Sequence, residues 1–254
     1  MNNIKLFGLE IFYGDLVNLV NGALESKHSL VINTINPHSY VVQKSDMCFK
    51  AALVESDYLI PDGSGIVLAA KLICGQRISK IAGYDLFETS MAALNETGGS
   101  VFFLGSTELV LSKIADKAKA DYPNVNVNSF SPPFKTVFDE ADIDLFCEKI
   151  NSVDPDVVFV GLTAPKQEKL ISRLRDKTNP KFFSGIGAVF DFYAGTVKRP
   201  NKLWIHLHLE WLVRFLGEPK RLWRRNFIST PIFIKDMAVD AIHSKIKFSK
   251  NNGS

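Results

Sequence analysis

The stretch DVVFVGLTAPKQEKLI, Asp156 to Ile171, decides how this chain folds. Its first half is an unbroken run of apolar, largely β-branched residues, bounded by Asp156 and Gly161. A run that short, with no in-out alternation, reads as a strand covered on both faces. Its second half turns after Gly161, restarts at Pro165 and continues with helical spacing. Proline suits the first turn of a helix because its missing N–H has no partner to lose there. A doubly covered strand followed at once by a helix is the repeating unit of a parallel α/β sheet.

The same unit recurs on both sides. Strand-like runs are SLVINTI from Ser29, DYLIP from Asp57, SVFFLG from Ser100, NVNVNSF from Asn124 and KFFSGIG from Lys181. Helical spacing fills Ser64 to Ile73, Thr107 to Ala120, Glu140 to Asn151 and Lys166 to Arg175. The expected fold is α/β, a Rossmann-like, mostly parallel sheet flanked by helices. Such sheets hold ligands at the carboxyl ends of their strands. There is no internal repeat and no low-complexity segment. The alternation stops near Gly195 to Pro200, so residues 1–195 are expected to form the α/β core and 196–254 a basic, amphipathic helical appendage.

Composition agrees with a globular chain: 254 residues, 46% hydrophobic and 22% charged. Cys48, Cys74 and Cys147 fit neither a disulfide framework nor zinc spacing, and read as ordinary thiols in a reducing compartment. No apolar run reaches the roughly 18 residues of a membrane span, and no signal peptide opens the chain, so a cytoplasmic location is expected. Charge is unevenly placed. Thr196 to Ser254 holds 12 Lys and Arg against 4 Asp and Glu, and the remainder 18 against 23. A basic tail on an acidic body asks for an anionic partner: a membrane surface, a phosphorylated ligand or nucleic acid.

The strand ends carry the candidate chemistry. In NTINPHSY, Thr34 and Asn36 project at a sheet edge, or Thr34 fills a strand and Asn36 caps a helix. In LIPDGSG, Asp62 is a turn residue or a carboxylate placed to take a proton from a substrate hydroxyl. After Gly161, the helix starting at Pro165 offers backbone amides and Lys166 to a phosphate, with Gln167 and Glu168 as a polar pair for a base or sugar. In GIGAVFDFYAG, Gly187 permits a close backbone approach and Asp191 is a ligand contact or a buried cap. No GxGxxG fingerprint and no Walker loop is present.

The combination is more specific than its parts. Thr34-x-Asn36-Pro37, Pro61-Asp62-Gly63-x-Gly65, Gly83-x-Asp85-Leu86, Phe103-Leu104-Gly105, Gly161 with Pro165-Lys166-Gln167-Glu168, Gly185-x-Gly187, Phe190-Asp191 with Ala194-Gly195, Lys198-Arg199-Pro200, Leu209-Glu210-Trp211 and Glu218-Pro219 with Arg221 follow in order. With them the chain, from about Val31 to Arg225, resembles the WecG/TagA/CpsF family of bacterial glycosyltransferases. The resemblance implies transfer of a hexose or N-acetylhexosamine, mannosamine-type or glucose-type, from a UDP-sugar donor to a polyprenyl-diphosphate-linked acceptor during cell-surface polysaccharide synthesis. It implies a general base at Asp62, a required Thr34, and Asn36 and Gln167 in the pocket. It implies no cofactor and no metal, in keeping with the absence of a DxD sequence. Inversion at the anomeric carbon follows from a direct attack by the base-activated hydroxyl.

Two departures from the family pattern bear on substrate choice. Lys80 stands where the family usually has Arg, keeping the charge and losing the planar fork that grips a diphosphate. SPPF at Ser131 to Phe134 replaces a Gly-Tyr-Phe common among relatives.

The resemblance also gives a reading of the run VFDFYAGTVKRPNKLWIHLHLEWLVRFLGEPKRLWRRN, Val189 to Asn226. It places Arg214, Arg221, Arg224 and Arg225 at the acceptor diphosphate or anionic headgroups, and Trp204, Trp211 and Trp223 at an interface. The segment from Phe227 then suits an interfacial helix on the inner face of the cytoplasmic membrane. A helix packed on the body or on another subunit is the competing reading, and a homo-oligomer is compatible with it. A non-catalytic binder of lipid-linked glycan or nucleic acid through the basic tail is the alternative function, although the motif set favours no nucleic-acid partner.

Overall fold

The computed structural model describes residues 2–197, 215–217 and 219–251. It begins with a hairpin of β1 (Asn3–Leu6) and β2 (Leu9–Phe12). The two turn residues, Phe7 and Gly8, both have positive φ, as the tightest hairpin turns require. There follow α1 (Leu16–Leu24), β3 (Leu30–Ile35), α2 (Pro37–Gln43), α3 (Met47–Val54), β4 (Tyr58–Pro61), α4 (Ser64–Cys74), α5 (Gly83–Thr97), β5 (Ser100–Gly105), α6 (Glu108–Asp121), β6 (Asn126–Phe130), α7 (Glu140–Asn151), β7 (Val157–Gly161), α8 (Lys166–Leu174), β8 (Phe182–Gly185) and α9 (Val189–Tyr193). The C-terminal part contains α10 (Pro219–Arg224), a π-helical turn over Arg225–Ser229 and α11 (Thr230–Asn251).

Six strands pair in the order β4-β3-β8-β7-β5-β6, every pair parallel. The unbroken apolar runs are explained by two layers of helix. Ile32, Val101, Phe103, Val157, Phe159 and Phe182 point to one face, where α1, α5, α6 and α9 supply Val20, Phe87, Ile114 and Phe190. Their neighbours Val31, Phe102, Leu104, Val158, Val160 and Phe183 point to the other, against Ile143 and Phe146 of α7 and Ile171 of α8. With both pleats buried, neither set of positions is free to be polar.

A third cluster ties the two ends of the chain together. Leu6, Leu9 and Ile11 of the hairpin pack with Tyr40, Phe49, Ile66, Ala69 and, from α11, Phe233 and Met237. Phe233 meets Phe7 and Tyr40 edge-on, at centroid distances of 5.5 and 5.6 Å. Asp236 accepts from Lys44 Nζ at 2.6 Å and Tyr40 Oη at 3.1 Å, and Ser244 Oγ donates to the Ile73 carbonyl at 2.9 Å. The last helix is therefore fixed to α2 and α4, while Ile232, Ile234, Ile242 and Ile246 remain exposed. No helix among the described residues is long and apolar enough to cross a membrane.

Candidate active site

The carboxyl ends of all six parallel strands open on one cleft of about 1300 Å³. That exceeds the roughly 300–1,000 Å³ of a pocket for one small ligand, and leaves room for two substrates. Thr34, Asn36, Asp62, Lys80, Gly161, Lys166, Gln167, Gly187, Asp191, Arg224 and Arg225 all line it. Glu168 lies behind Gln167 and is absent from the lining. Arg214 lies outside the described residues, as does the Arg221 side chain, whose backbone belongs to α10.

The loops after β3 and β4 form one wall. Asn36 caps α2, its Oδ1 accepting from the backbone N–H of His38 and Ser39 at 3.0 Å each, so the cap and the cleft position belong to the same residue. Thr34 is 9% exposed, and its methyl stands 3.7 Å from where a side chain on Gly83 would begin. The Asp62 backbone N–H donates to the Ile35 carbonyl at 2.9 Å, holding the β4 end beside the β3 end. Gly63 has φ of 109°, a conformation that disfavours any side chain. A Cβ on Gly65 would stand 2.6 Å from Pro37 Cγ and 3.2 Å from Phe233 Cε1. The two glycines of Pro-Asp-Gly-x-Gly thus present Asp62 and let α2 and α11 close on the start of α4.

The loops after β7 and β8 form the floor. Gly161 is required by the Phe190 ring, which would lie 2.3 Å from a Cβ there. Lys166 Nζ donates to the Lys135 carbonyl and sits 4.0 Å over the Phe138 ring, and burial lowers its pKa. Asp191 Oδ1 accepts from Thr196 Oγ1 at 3.3 Å. Of the helices that begin at the cleft, α2 and α6 are capped by the side chains of Asn36 and Thr107, whereas α4, α5, α8 and α9 have no side-chain cap. In the first turns of α4 and α8, Ile66 N–H donates to the Gly63 carbonyl and Lys166 N–H to the Thr163 carbonyl, and the Ser64, Gly65 and Gln167 N–H are left for other acceptors.

Glu168 is 2% exposed and burial pushes its carboxyl up to about 7. The folded value lies above the unfolded one, so the folded protein holds a proton that the unfolded chain releases between about pH 4.5 and 7. The contribution of Glu168 to stability is therefore full below that window, falls through it by up to about 3 kcal/mol, and is level above it. Glu168→Gln is expected to remove the fall and to exceed wild type by about 2–3 kcal/mol at pH 8 in urea unfolding. Parallel pH profiles for the two proteins would contradict this.

The C-terminal segment supplies the remaining edge. Leu222, Arg224, Arg225, Asn226 and Ser229 reach the cleft, and His38 Nδ1 is 2.8 Å from Ser229 Oγ. Burial, with Arg225 and then Arg224 nearby, lowers the His38 pKa. His38 and Ser229 carry no motif, and only their packing across 191 residues of sequence brings them together. Phe134, fully exposed on the loop after β6, also borders the cleft.

Known proteins match the chain over nearly its whole length. The model of the Glycosyl transferase WecG/TagA/CpsF family matches residues 4–247. A Bacillus spizizenii protein named N-acetylglucosaminyldiphosphoundecaprenol N-acetyl-beta-D-mannosaminyltransferase is 33% identical over 211 residues, 83% of this chain and 79% of its own. A Bacillus subtilis protein of the same name is 30% identical over 227 residues, 89% of this chain and 86% of its own.

Proposed function

The chain belongs to the WecG/TagA/CpsF family of glycosyl transferases, and from that premise we propose that it moves an N-acetylhexosamine from a UDP-sugar to a polyprenyl-diphosphate-linked sugar. Both relatives are named for N-acetylmannosamine transfer to a diphosphoundecaprenol-linked N-acetylglucosamine, which puts a mannosamine-type donor ahead of a glucose-type one. The observation that carries the reading is convergence. Thr34, Asp62 and Gln167, from three different loops, share one cleft with two helix starts that lack side-chain caps.

In this proposal Asp62 takes the proton from the acceptor hydroxyl as its oxygen attacks the anomeric carbon from the side opposite UDP. The C–O bond to UDP breaks as the new glycosidic bond forms, inverting the centre. Charge building on the departing diphosphate is met by the Ser64, Gly65 and Gln167 amides at the starts of α4 and α8 and by Lys80, without a metal step. Arg224 and Arg225, on the edge nearest α11, are assigned to the acceptor diphosphate. The exposed Trp223, Phe227 and Ile228 beside them are assigned to the inner membrane surface, where such an acceptor resides.

A panel of UDP-sugars with polyprenyl-diphosphate N-acetylglucosamine tests the donor. UDP release is expected to be fastest with UDP-N-acetylmannosamine. Faster release with UDP-glucose would overturn the donor assignment, and release independent of acceptor would overturn transfer.

A further inference from the structure

The floor of the cleft contains an amide held in a built recess. Gln167 is 5% exposed, and its Nε2 donates to Glu168 Oε1 at 3.0 Å. A Cβ on Gly185 would come within 2.8 Å of Gln167 Cδ and Nε2, so the amide group occupies space that only glycine leaves. The other end of the amide, Oε1, is buried and accepts no hydrogen bond. It faces Gly187, where φ is 49°, and a Cβ there would stand 3.4 Å from Gln167 Oε1 and 3.3 Å from the Leu162 carbonyl oxygen. With no side chain on Gly187, a notch in the cleft lining stays open in front of its Cα, bordered by both acceptors. A ligand N–H or O–H resting against Gly187 and donating to Gln167 Oε1 would satisfy the orphaned oxygen, which otherwise costs stability for no return.

What decides that the notch reads a donor is Glu168. Rotating the Gln167 amide by a half turn would bring its NH₂ to the notch and its oxygen against the Glu168 acceptor oxygen. As a carboxylate, the form present above about pH 7, Glu168 can only accept. We infer that Glu168 is a positioning residue, holding Gln167 so that its Oε1 and the Leu162 carbonyl form a notch at Gly187 for a hydrogen-bond donor of the nucleotide-sugar. The inference rests on the transferase reading and adds to it a residue that never touches substrate. It also accounts for a buried carboxyl that nothing else in the mechanism uses.

Calorimetric titration of the full chain with UDP and with UDP-N-acetylhexosamine tests it. Glu168→Leu removes the acceptor and is expected to weaken binding about tenfold, the worth of one such hydrogen bond. Donor KM is expected to rise by the same factor while kcat changes less. Glu168→Gln can present the same acceptor oxygen and is expected to bind within about twofold of wild type. Gly187→Ala puts a methyl against Gln167 Oε1 and the Leu162 carbonyl, closes the notch, and is expected to weaken binding like Glu168→Leu. A loss shared by UDP and UDP-sugar places the read donor on the nucleotide, and a loss confined to UDP-sugar places it on the sugar. Wild-type affinity in Glu168→Leu or Gly187→Ala overturns the inference alone, as does a tenfold loss in Glu168→Gln. A wild-type protein that binds neither ligand overturns the transferase reading and this inference with it.

Discussion

Asp62→Asn is expected to fold, to bind UDP-sugar like wild type, and to transfer sugar about 10²–10⁴-fold more slowly. The expectation follows from how the residue is held. Its backbone N–H joins the β4 end to β3, and Gly63 makes the turn that presents it. Asparagine keeps the shape and the backbone contact but cannot take a proton. The loss should therefore fall on kcat and spare the melting temperature. Single-turnover transfer on a lipid-linked acceptor checks it, and near-wild-type turnover would remove Asp62 from the base role.

Phe233→Ala is expected to have the largest effect on stability. The ring is 2% exposed, meets Phe7 and Tyr40, and approaches the Gly65 backbone so closely that a Cβ there would be 3.2 Å away. Truncating a buried Phe of this kind costs about 3–5 kcal/mol, or about 10 °C in a chain of this size. The effect should also reach function. Phe233 fixes the start of α11, and the turn just before it carries Arg225 and Ser229 to the cleft. Transfer to a lipid-linked acceptor is expected to fall more than UDP binding, which depends on the strand ends. An unchanged melting temperature with unchanged transfer would show that α11 takes no part.

The sheet was legible because its strands other than β6 are buried on both faces. Runs such as VVFVG and SVFFLG leave no other reading, and all six expected strands form. Helix α7 occupies its expected residues, with Asp139 capping it as a short acidic side chain does. The β1–β2 hairpin was not legible. Its strands have four residues each, and its burial depends on β4 and α4, some 50 positions away, with α11 meeting its turn at Phe7. Helices α1, α3 and α5 were not among the expected elements either. Their apolar faces are short or mixed with Ser, Thr and Asn, and tertiary contact rather than periodicity sets them.

The site was half legible for a similar reason. Thr34, Asn36, Asp62 and Gln167 follow strands, and strand ends meet in any parallel sheet, so their convergence could be anticipated. That Asn36 both caps α2 and borders the cleft resolves two readings that the sequence leaves apart. Glu168 was expected beside Gln167 in the cleft. Its carboxyl is buried behind the Gln167 amide, 3.0 Å from Nε2, and does not line the cleft. His38 and Ser229 had no local signal at all, because their relation exists only once α11 docks on α2.

The most direct test of the account is the mass of the lipid product. Full-length protein, polyprenyl-diphosphate N-acetylglucosamine and UDP-N-acetylmannosamine would be combined, and the lipid fraction read by mass spectrometry. The account predicts a lipid heavier by one N-acetylhexosamine, formed in step with UDP. UDP released with the lipid mass unchanged, or no reaction with this acceptor and any UDP-sugar, would contradict it.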